Sequence, residues 1–357
     1  MTQTTKTTET TKTGWMIYGA NGYTGRLVAQ EAIKLGERPL LAGRSADKVR
    51  RVAEELELPW VAFDLGDRAA TIAALRGVEL VLLAAGPFDG LAQPMMDACL
   101  EAGTHYADLD NELEVFLAAE ARDARARERG VAIVPGIGFG TIATGSLVKR
   151  VVAALPDATR LECALHIASA HAGAATGESG LGAIRLGGRV RRAGQIVAHP
   201  LGAGGRDIPF ADRTRRASPI PTGDLEAAWM DTRIPDIAVY GTALPGGPLQ
   251  RVGIAILRRL LWIGPIRRAL SAVREGRAGE TRCQAWACAT NARGEKVEAR
   301  LETGEGFAFT AAAAARAVVA IRRAPVAGAH AAATVLGGAF IDSLPDVRIT
   351  TAPGATS

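Results

Sequence analysis

The 357-residue chain has few cysteines and no long, strongly apolar run. Its four cysteines are scattered, and the closest two, Cys283 and Cys288, have no histidine or second cysteine pair at zinc-binding spacing. This argues against a disulfide-rich or zinc-binding protein, so we expect reduced thiols, no bound metal and a cytoplasmic location. The missing apolar run argues against a membrane-spanning helix.

The chain also lacks features typical of two other protein classes. Its net charge of +5 is modest and no basic patch is interleaved with aromatic residues, so we expect no nucleic-acid partner. Residues 1–13 are mostly threonine with lysine and glutamate; they lack the apolar core of a signal peptide, and we expect a disordered tail. The composition, 48% apolar and 22% charged, suits a buried core in one large or two ordinary domains.

What the sequence does contain is a glycine-rich turn between a strand and a helix. The apolar run 15–18 is followed by Gly19, Gly22 and Gly25, and then by a helical pattern. In such a turn the first glycine permits a tight bend, the second lets backbone approach a phosphate, and the third lets the helix pack against the strand. The helix N-terminus then offers N–H groups to a pyrophosphate. A glycine turn without a ligand is the alternative, but the flanking strand and helix favour a dinucleotide.

The end of the second predicted strand indicates which dinucleotide is bound. An NAD site usually has Asp or Glu about 20 residues after the glycines, where it binds the ribose 2′-hydroxyl. This chain has Arg44 and Ser45 instead, with Lys48 one helical turn later. A guanidinium and a hydroxyl suit a 2′-phosphate and predict NADP(H) as the cofactor. The alternative is that Arg44 stacks on the adenine or faces solvent.

Alternating strands and helices between residues 14 and 137 predict an α/β fold with a Rossmann-type doubly wound parallel sheet. The predicted strands are 15–18, 39–42, 60–63, 79–85, 104–108 and 131–135, and the predicted helices are 24–35, 46–56, 67–75, 91–102 and 113–129. After residue 140 the pattern predicts an inserted α+β substrate domain. Its predicted elements are a strand at 161–169, a helix at 178–192, strands and loops over 193–247, a helix at 250–275, a hairpin of 282–289 with 296–303, and a helix at 310–324.

The carboxyl ends of parallel strands line the cofactor cleft, so the turn after the apolar run 78–85 is expected to face the ribose and nicotinamide. All predicted cofactor-binding residues follow strand ends. They are Gly19, Asn21, Gly22, Tyr23, Thr24, Gly25, Arg44, Ser45, Ala85, Gly86, Pro87 and Phe88.

Four motifs together resemble the saccharopine dehydrogenase-like oxidoreductases, with the trans-acting enoyl reductases as the nearer branch. These motifs occupy residues 18–25, 42–45, 86–88 and 102–108, and weaker similarity recurs at 223–225, at 234–236 and in the last 30 residues. The resemblance implies an NADP-binding Rossmann domain, an α+β substrate domain and a C-terminal segment that returns to the first domain. We place these parts at 14–145, 146–325 and 326–357.

One loop departs from the family pattern. Relatives usually carry Gly-Phe-Asp-Ser-Val-Pro-Ser-Asp after the last strand of the nucleotide domain, whereas residues 138–145 read Gly-Phe-Gly-Thr-Ile-Ala-Thr-Gly. Both carboxylates are missing. A site for an ammonium group or an amino acid would require such charge, so the loss favours a neutral substrate.

Few side chains are candidates for the proton donor that must accompany hydride transfer. Tyr106 and Asp108 end a predicted parallel strand, and His171 opens a glycine-rich loop, where a histidine could protonate a carbanion or enolate. The alternatives are a packed tyrosine, a helix-capping aspartate and an exposed loop histidine. We name His171 and Tyr106 as the catalytic candidates. We expect the substrate to lie beside Phe88 and that loop and to contact Asp108, Phe139, Thr176 and Tyr240.

Residues 251–274 combine a crowded apolar stretch with five arginines. A basic amphipathic helix can lie on a membrane surface or bind an acidic carrier domain. The alternatives are a packed helix with a solvated arginine face and a lid over the substrate pocket.

The expected function is NADPH-dependent reduction of a C=C (enoyl-type) or C=N bond in a lipid, polyketide or other secondary-metabolite intermediate. The substrate is a small molecule, free or attached to a carrier or lipid, and a homodimer is left open. One alternative is a saccharopine-reductase-like amino-acid or imine dehydrogenase, which the missing carboxylates disfavour. Another is a redox-neutral NADP-binding protein.

Overall fold

A computed structural model of the protein describes residues 14–86, 88, 90–168, 187–242 and 282–353. The first part of the chain alternates strands and helices. The strands are β1 (Trp15–Tyr18), β2 (Leu40–Gly43), β3 (Trp60–Ala62), β4 (Leu80–Leu83), β5 (His105–Asp108) and β6 (Ala132–Val134). The helices are α1 (Tyr23–Lys34), α2 (Ala46–Leu56), α3 (Arg68–Leu75), α4 (Ala92–Ala102), α5 (Leu113–Glu120), α6 (Asp123–Arg129) and α7 (Phe139–Ala154).

The second part of the described chain is mostly antiparallel. Its elements are β7 (Ala158–His166), β8 (Gly188–Arg192), β9 (Gln195–His199), β10 (Arg206–Pro209), β11 (Thr214–Pro219), α8 (Asp224–Thr232), β12 (Asp236–Gly241), β13 (Cys283–Asn291), β14 (Lys296–Thr303) and α9 (Gly306–Arg323). The chain then forms β15 (Gly328–Ala329), α10 (Ala332–Leu336), a 3-10 helix (Phe340–Ser343) and β16 (Arg348–Pro353).

The strands form two sheets, and the predicted fold class is confirmed. The first sheet has the parallel order β15-β6-β5-β4-β1-β2-β3, with β1 between β2 and β4. Strand β4 is buried along its whole length, as expected for a central strand covered on both faces. The second sheet has the order β10-β11-β12-β7-β13-β14-β16, and the β8–β9 hairpin attaches to it through β12.

The last part of the chain is divided between the two sheets. Strand β15 pairs in parallel with β6 of the first sheet, whereas β16 pairs antiparallel with β14 of the second. The proposed domain limits of 14–145, 146–325 and 326–357 stay a prediction.

Helix α9 runs from the carboxyl ends of the strands of the first sheet to their amino ends. Near its C-terminus, Arg322 forms ion pairs with Glu37 (2.8 Å) and Glu79 (2.6 Å), which precede β2 and β4. Near its N-terminus, the ring of Phe309 contacts that of Phe139 edge to face, with 5.5 Å between centroids. The N-terminus of α9 therefore lies at the carboxyl edge of the sheet, where the predicted site is.

Two predicted helices differ from the structure. The predicted helix 113–129 is two helices, α5 and α6. The end of the predicted helix 178–192 is wrong, because 188–192 is strand β8, which pairs antiparallel with β9. The two strands are joined by Ala193 (φ 47°) and Gly194 (φ 79°), and two positive φ angles are typical of a tight hairpin turn. Residues 178–186 and the predicted helix 250–275 lie outside the described residues.

Candidate functional site

The glycine turn after β1 lies against the end of β4. Gly19 has φ +92°, a conformation that favours glycine, and a Cβ atom there would lie 2.7 Å from the backbone nitrogen of Ala85. No side chain fits this position without displacing backbone. The turn therefore brings two of the predicted cofactor-binding segments together at the carboxyl edge of the sheet.

The other two glycines of the turn have different surroundings. A Cβ atom on Gly25 would lie only 2.4 Å from the carbonyl oxygen of Gly19, so α1 packs directly on the turn. Gly22 is the N-cap of α1, and the nearest atom to its Cβ position is the same oxygen, at 3.2 Å. The first turn of α1 contains no acidic side chain, which would compete with an anion. This geometry suits a pyrophosphate held by N–H groups at the helix N-terminus.

The end of β2 adds a positive charge and a hydroxyl beside this turn. The Asn21 Oδ1 atom lies 2.9 Å from the Cβ position of Gly43, so the turn contacts the last residue of β2. Arg44 follows and is exposed. Ser45 is the N-cap of α2, but its side chain makes no capping hydrogen bond to that helix. The predicted role of both side chains at a 2′-phosphate stays a prediction.

Aromatic residues surround the rest of this edge. Phe88 is half-buried after β4, and Pro87 lies outside the described residues. The ring of Tyr23, which is 55% exposed, contacts Phe307 of α9 edge to face at 5.2 Å between centroids. The edge that we expect to hold the cofactor is thus bordered by a helix from the second part of the chain.

Tyr106 and Asp108 form a fully buried pair at the end of β5. The Tyr106 hydroxyl donates to Asp108 Oδ2 at 2.6 Å. Asp108 Oδ1 accepts from the backbone N–H groups of Gly136 (2.7 Å) and Asp110 (2.9 Å). Burial raises the pKa of Asp108 to about 6, although these three hydrogen bonds oppose the rise. Asp108 is not the N-cap of the following helix, since Glu112 holds that position in α5.

Tyr106 itself is a poor acid in this setting. Burial, and then the adjacent Asp108 carboxylate, raises the pKa of its phenol well above the usual value. The hydroxyl proton is already donated to Asp108. Its predicted role as proton donor stays a prediction.

A second carboxyl group, Asp110, lies just beyond this pair and was not among the predicted residues. It is 3% exposed, and its Oδ2 atom has no hydrogen-bond partner among the described residues. Burial, and then the charges of Asp108 and Glu112, raises the pKa of Asp110 well above the usual value. Two buried acids therefore lie together at the carboxyl edge of the sheet.

The next residue of this loop, Asn111, forms hydrogen bonds with Asp224. We call these two residues and their hydrogen-bond partners the Asn111–Asp224 network. Asn111 Nδ2 donates to Asp224 Oδ2 at 2.9 Å, and the Asp224 backbone N–H donates back to Asn111 Oδ1 at 3.2 Å. Asp224, at the start of α8, also accepts from the hydroxyls of Thr222 (2.9 Å) and Thr144 (2.6 Å). This buried carboxylate thus ties the second part of the chain to the end of β5.

Asp224 lies beside the loop that lacks the family's carboxylates. Its Oδ1 atom is 3.6 Å from the Cβ position of Gly140, the residue aligned with the first missing aspartate. The second part of the chain therefore supplies a carboxylate near this position, which the local sequence did not predict. Both oxygens of Asp224 already accept hydrogen bonds from neutral donors, and the neutral substrate expected from the sequence stays a prediction.

We expect Asp224→Ala to lower the stability of the fold. The change removes the acceptor shared by Asn111, Thr144 and Thr222, and unpaired buried donors should cost about 3 kcal/mol. Thermal unfolding checks this, with Asp342→Ala as the control, because Asp342 is a half-exposed partner of Arg150 and should cost less than about 1 kcal/mol. Equal unfolding temperatures for the two variants would contradict a structural role for the network.

The remaining predicted substrate residues are dispersed. Phe139 begins α7 beside Phe309, at the carboxyl edge. Tyr240 lies on β12 of the second sheet, where its hydroxyl donates to Glu162 at 3.0 Å, and burial raises its pKa to about 12. Tyr240 therefore lies on a different sheet from the Tyr106–Asp108 pair. His171 and Thr176 lie outside the described residues.

Sequence reasoning also missed a histidine on β7, the strand that pairs with the β12 strand of Tyr240. His166, at the end of β7, has Nδ1 2.8 Å from the Thr242 hydroxyl. Burial, and then Arg215, lowers its pKa to about 4, so the ring is neutral near neutral pH. The only sequence signal that could have identified His166 is its position as a polar residue at the end of a strand.

The described segments contain no cluster of three or more histidine, cysteine or acidic side chains that could hold a metal ion. They also contain no helix that is long and apolar enough to cross a membrane.

The fold and the carboxyl edge of the first sheet define a class, the Rossmann-type nucleotide-binding proteins with a second, mixed-sheet domain. Residues 15–134 match the family model of the saccharopine dehydrogenase NADP binding domain. The resemblance stated from the sequence is thereby confirmed for these residues.

Curated relatives match the same part of the chain. The trans-acting enoyl reductase of Mycobacterium tuberculosis is 31% identical over 135 residues, which are 36% of this chain and 32% of the relative. That of Mycobacterium leprae is 31% identical over 151 residues, which are 38% of this chain and 36% of the relative. The match spans about a third of the length of these relatives.

A solved structure is similar over nearly the whole chain. Apo saccharopine dehydrogenase (L-Glu forming) from Saccharomyces cerevisiae superposes with a TM-score of 0.65, covering 96% of this chain and 100% of that one at 11% identity. The similarity shows that both parts of the chain share this fold. Together the comparisons support an NADP-dependent oxidoreductase.

Proposed function

We propose that the protein is an NADPH-dependent reductase that transfers hydride to a C=C (enoyl-type) or C=N bond of a lipid, polyketide or other secondary-metabolite intermediate. The observation that carries the proposal is the glycine turn, which has an uncapped helix N-terminus, lies in a matched NADP-binding domain and is flanked by Arg44. The relatives named trans-acting enoyl reductases support the choice of double bond.

The chain's own residues would hold the cofactor as follows. The N–H groups after Gly22 bind the pyrophosphate, and Arg44 and Ser45 bind the 2′-phosphate. The residues after β4, from Ala85 to Phe88, face the ribose and the nicotinamide. NADPH supplies the hydride when bound, and the protein supplies alignment, exclusion of water and a proton.

The substrate would lie at the same edge, between Phe88, Phe139 and the loop that begins at His171. Both oxygens of Asp224 already accept hydrogen bonds from neutral side chains, so neither oxygen is offered to an ammonium group, which favours a neutral substrate over an amino acid. The substrate is a small molecule, free or attached to a carrier or lipid. Tyr106 and His171 are the proton donors proposed from the sequence.

Turnover assays distinguish this function from the alternatives. Purified protein with NADPH should reduce enoyl thioesters or imines, detected by loss of nicotinamide absorbance and by a product two mass units heavier. Preferential oxidation of saccharopine with NADP⁺ would favour the amino-acid dehydrogenase instead. Binding of NADPH without turnover of any of these compounds would favour a redox-neutral protein.

Arg44→Ala should weaken NADPH binding selectively. The loss of a charge-assisted hydrogen bond to the 2′-phosphate should cost roughly 1.5–3 kcal/mol, with NADH affinity nearly unchanged. Arg38→Ala is the matched control, since Arg38 is an exposed arginine that precedes β2 at the opposite edge of the sheet. Calorimetry with both nucleotides gives the result. Equal wild-type affinities for NADPH and NADH would contradict the assignment.

A further inference from the structure

At the end of β5, one buried carboxyl group has an oxygen that takes no part in the hydrogen bonds of the described chain. The Tyr106 hydroxyl donates its proton to Asp108. Both oxygens of Asp108 are occupied, one by that hydroxyl and the other by two backbone N–H groups. Neither side chain can give a proton to a ligand without breaking this arrangement. Asp110 is the remaining buried acid of the loop, and its Oδ2 atom has no partner in the described chain.

The surroundings of Asp110 favour its neutral form. The charged side chains that influence it most are Asp108 and Glu112, and both are acidic. Asp224, on α8, is a third carboxylate that reaches the same loop through Asn111. Two adjacent buried carboxyl groups do not both ionise readily, and the proton goes to the group with fewer donors. Asp108 accepts three hydrogen bonds on its two oxygens, whereas Asp110 accepts only from the backbone N–H groups of Glu112 and Asn111 and keeps Oδ2 without a partner in the described chain, so the proton belongs on Asp110.

We propose that Asp110 holds the transferable proton at the carboxyl edge of the first sheet and donates it to the substrate. This role rests on the proposed reductase function. Hydride from NADPH forms a C–H bond at one atom of the double bond, and the displaced electron pair forms a bond from the other atom to the Asp110 proton. The O–H bond of Asp110 breaks, and the carboxylate then recovers a proton from water.

The protonation state can be measured without a substrate. Infrared spectra of the NADPH complex at neutral pH should show a protonated carboxyl C=O band in the wild type. The band should lose intensity in Asp110→Asn, an isosteric change that should fold, and keep its intensity in Glu114→Gln. Burial raises the pKa of Glu226 to about 7, so the contribution of Glu226 to the band should remain in all three proteins. Glu114 is a matched control because it is an exposed carboxylate four residues further on. Equal band intensity in the wild type and in Asp110→Asn, or no such band in the wild type, would overturn the proposal.

Transfer of the Asp110 proton to the substrate is tested by turnover of a trans-2-enoyl thioester with NADPH. Asp110→Asn should lower kcat by about 10²- to 10⁴-fold, the usual contribution of a general acid, and leave NADPH affinity unchanged. The wild-type rate should fall as the pH rises through the raised pKa of Asp110, and the variant should lose that dependence. Glu114→Gln should keep both the rate and the pH profile.

The outcomes for Asp110 and for the reductase function are separable. Full turnover by Asp110→Asn would overturn the donor role while leaving the reductase function intact. A wild type that reduces neither enoyl nor imine probes would contradict the reductase function and, with it, this use of the proton. In that case, the infrared band would still show whether Asp110 holds the proton.

Discussion

Gly22→Val is expected to abolish NADPH binding while the protein remains folded. The valine side chain would stand at the N-cap of α1, where the pyrophosphate must approach the free N–H groups. The loss should be about 100-fold or more in Kd, which corresponds to roughly 3 kcal/mol. The fold should survive because the nearest atom to the new Cβ is the Gly19 oxygen at 3.2 Å, which requires only a small shift.

Calorimetric titration with NADPH measures the effect, and thermal unfolding shows that the variant is folded. Gly338→Val is the control: its Cβ would lie 3.0 Å from Lys149, so it is similarly crowded but far along the chain from the turn. Wild-type affinity in a folded Gly22→Val protein would show that the phosphates bind elsewhere.

Gly19→Ala should destabilise the first domain as well as weaken NADPH binding. Its positive φ of +92° disfavours any side chain, and the new Cβ would lie 2.7 Å from Ala85 backbone. The backbone conformation should cost about 1–2 kcal/mol and the overlap about 1–3 kcal/mol more. The overlap cannot be relieved by a side-chain rotation, since backbone atoms oppose the methyl group.

A second glycine separates the cost of the backbone conformation from the cost of the overlap. Gly36, after α1, also has a positive φ (+78°), but nothing lies within 4 Å of its Cβ position. Gly36→Ala should therefore show the conformational cost alone and keep NADPH affinity. If the two variants unfold at the same temperature, the close approach of the turn to β4 is not what requires glycine at position 19.

The first domain was predictable because its signals are local. Buried parallel strands produce short apolar runs such as β4, and the glycine turn marks the first strand-to-helix connection. The predicted strands agree with the structure to within two residues at each end. The hairpin of β8 and β9 was missed because its turn residues, Ala193 and Gly194, are not a strong turn pair. Their positive φ angles became evident only in the structure.

The polar part of the candidate site could be predicted only in part. Tyr106 and Asp108 follow from their place at a strand end, but the hydrogen bond between them depends on burial and geometry. The bond from Asn111 to Asp224 joins residues 113 positions apart, and no local spacing indicates such a contact. In the sequence, Asp110 looks like an ordinary loop aspartate. Only the structure shows that its buried Oδ2 atom has no hydrogen-bond partner among the described residues.

The central claim is that this chain transfers hydride from NADPH to an organic double bond. The most direct measurement uses NADPH in which both hydrogens at C4 of the nicotinamide are deuterium, with a trans-2-enoyl thioester and an imine as probes and product analysis by mass spectrometry and NMR. We expect one deuterium on a former double-bond carbon of a product, with NADH a much poorer donor. Deuterium that remains entirely in the nicotinamide after incubation with both probes would contradict it.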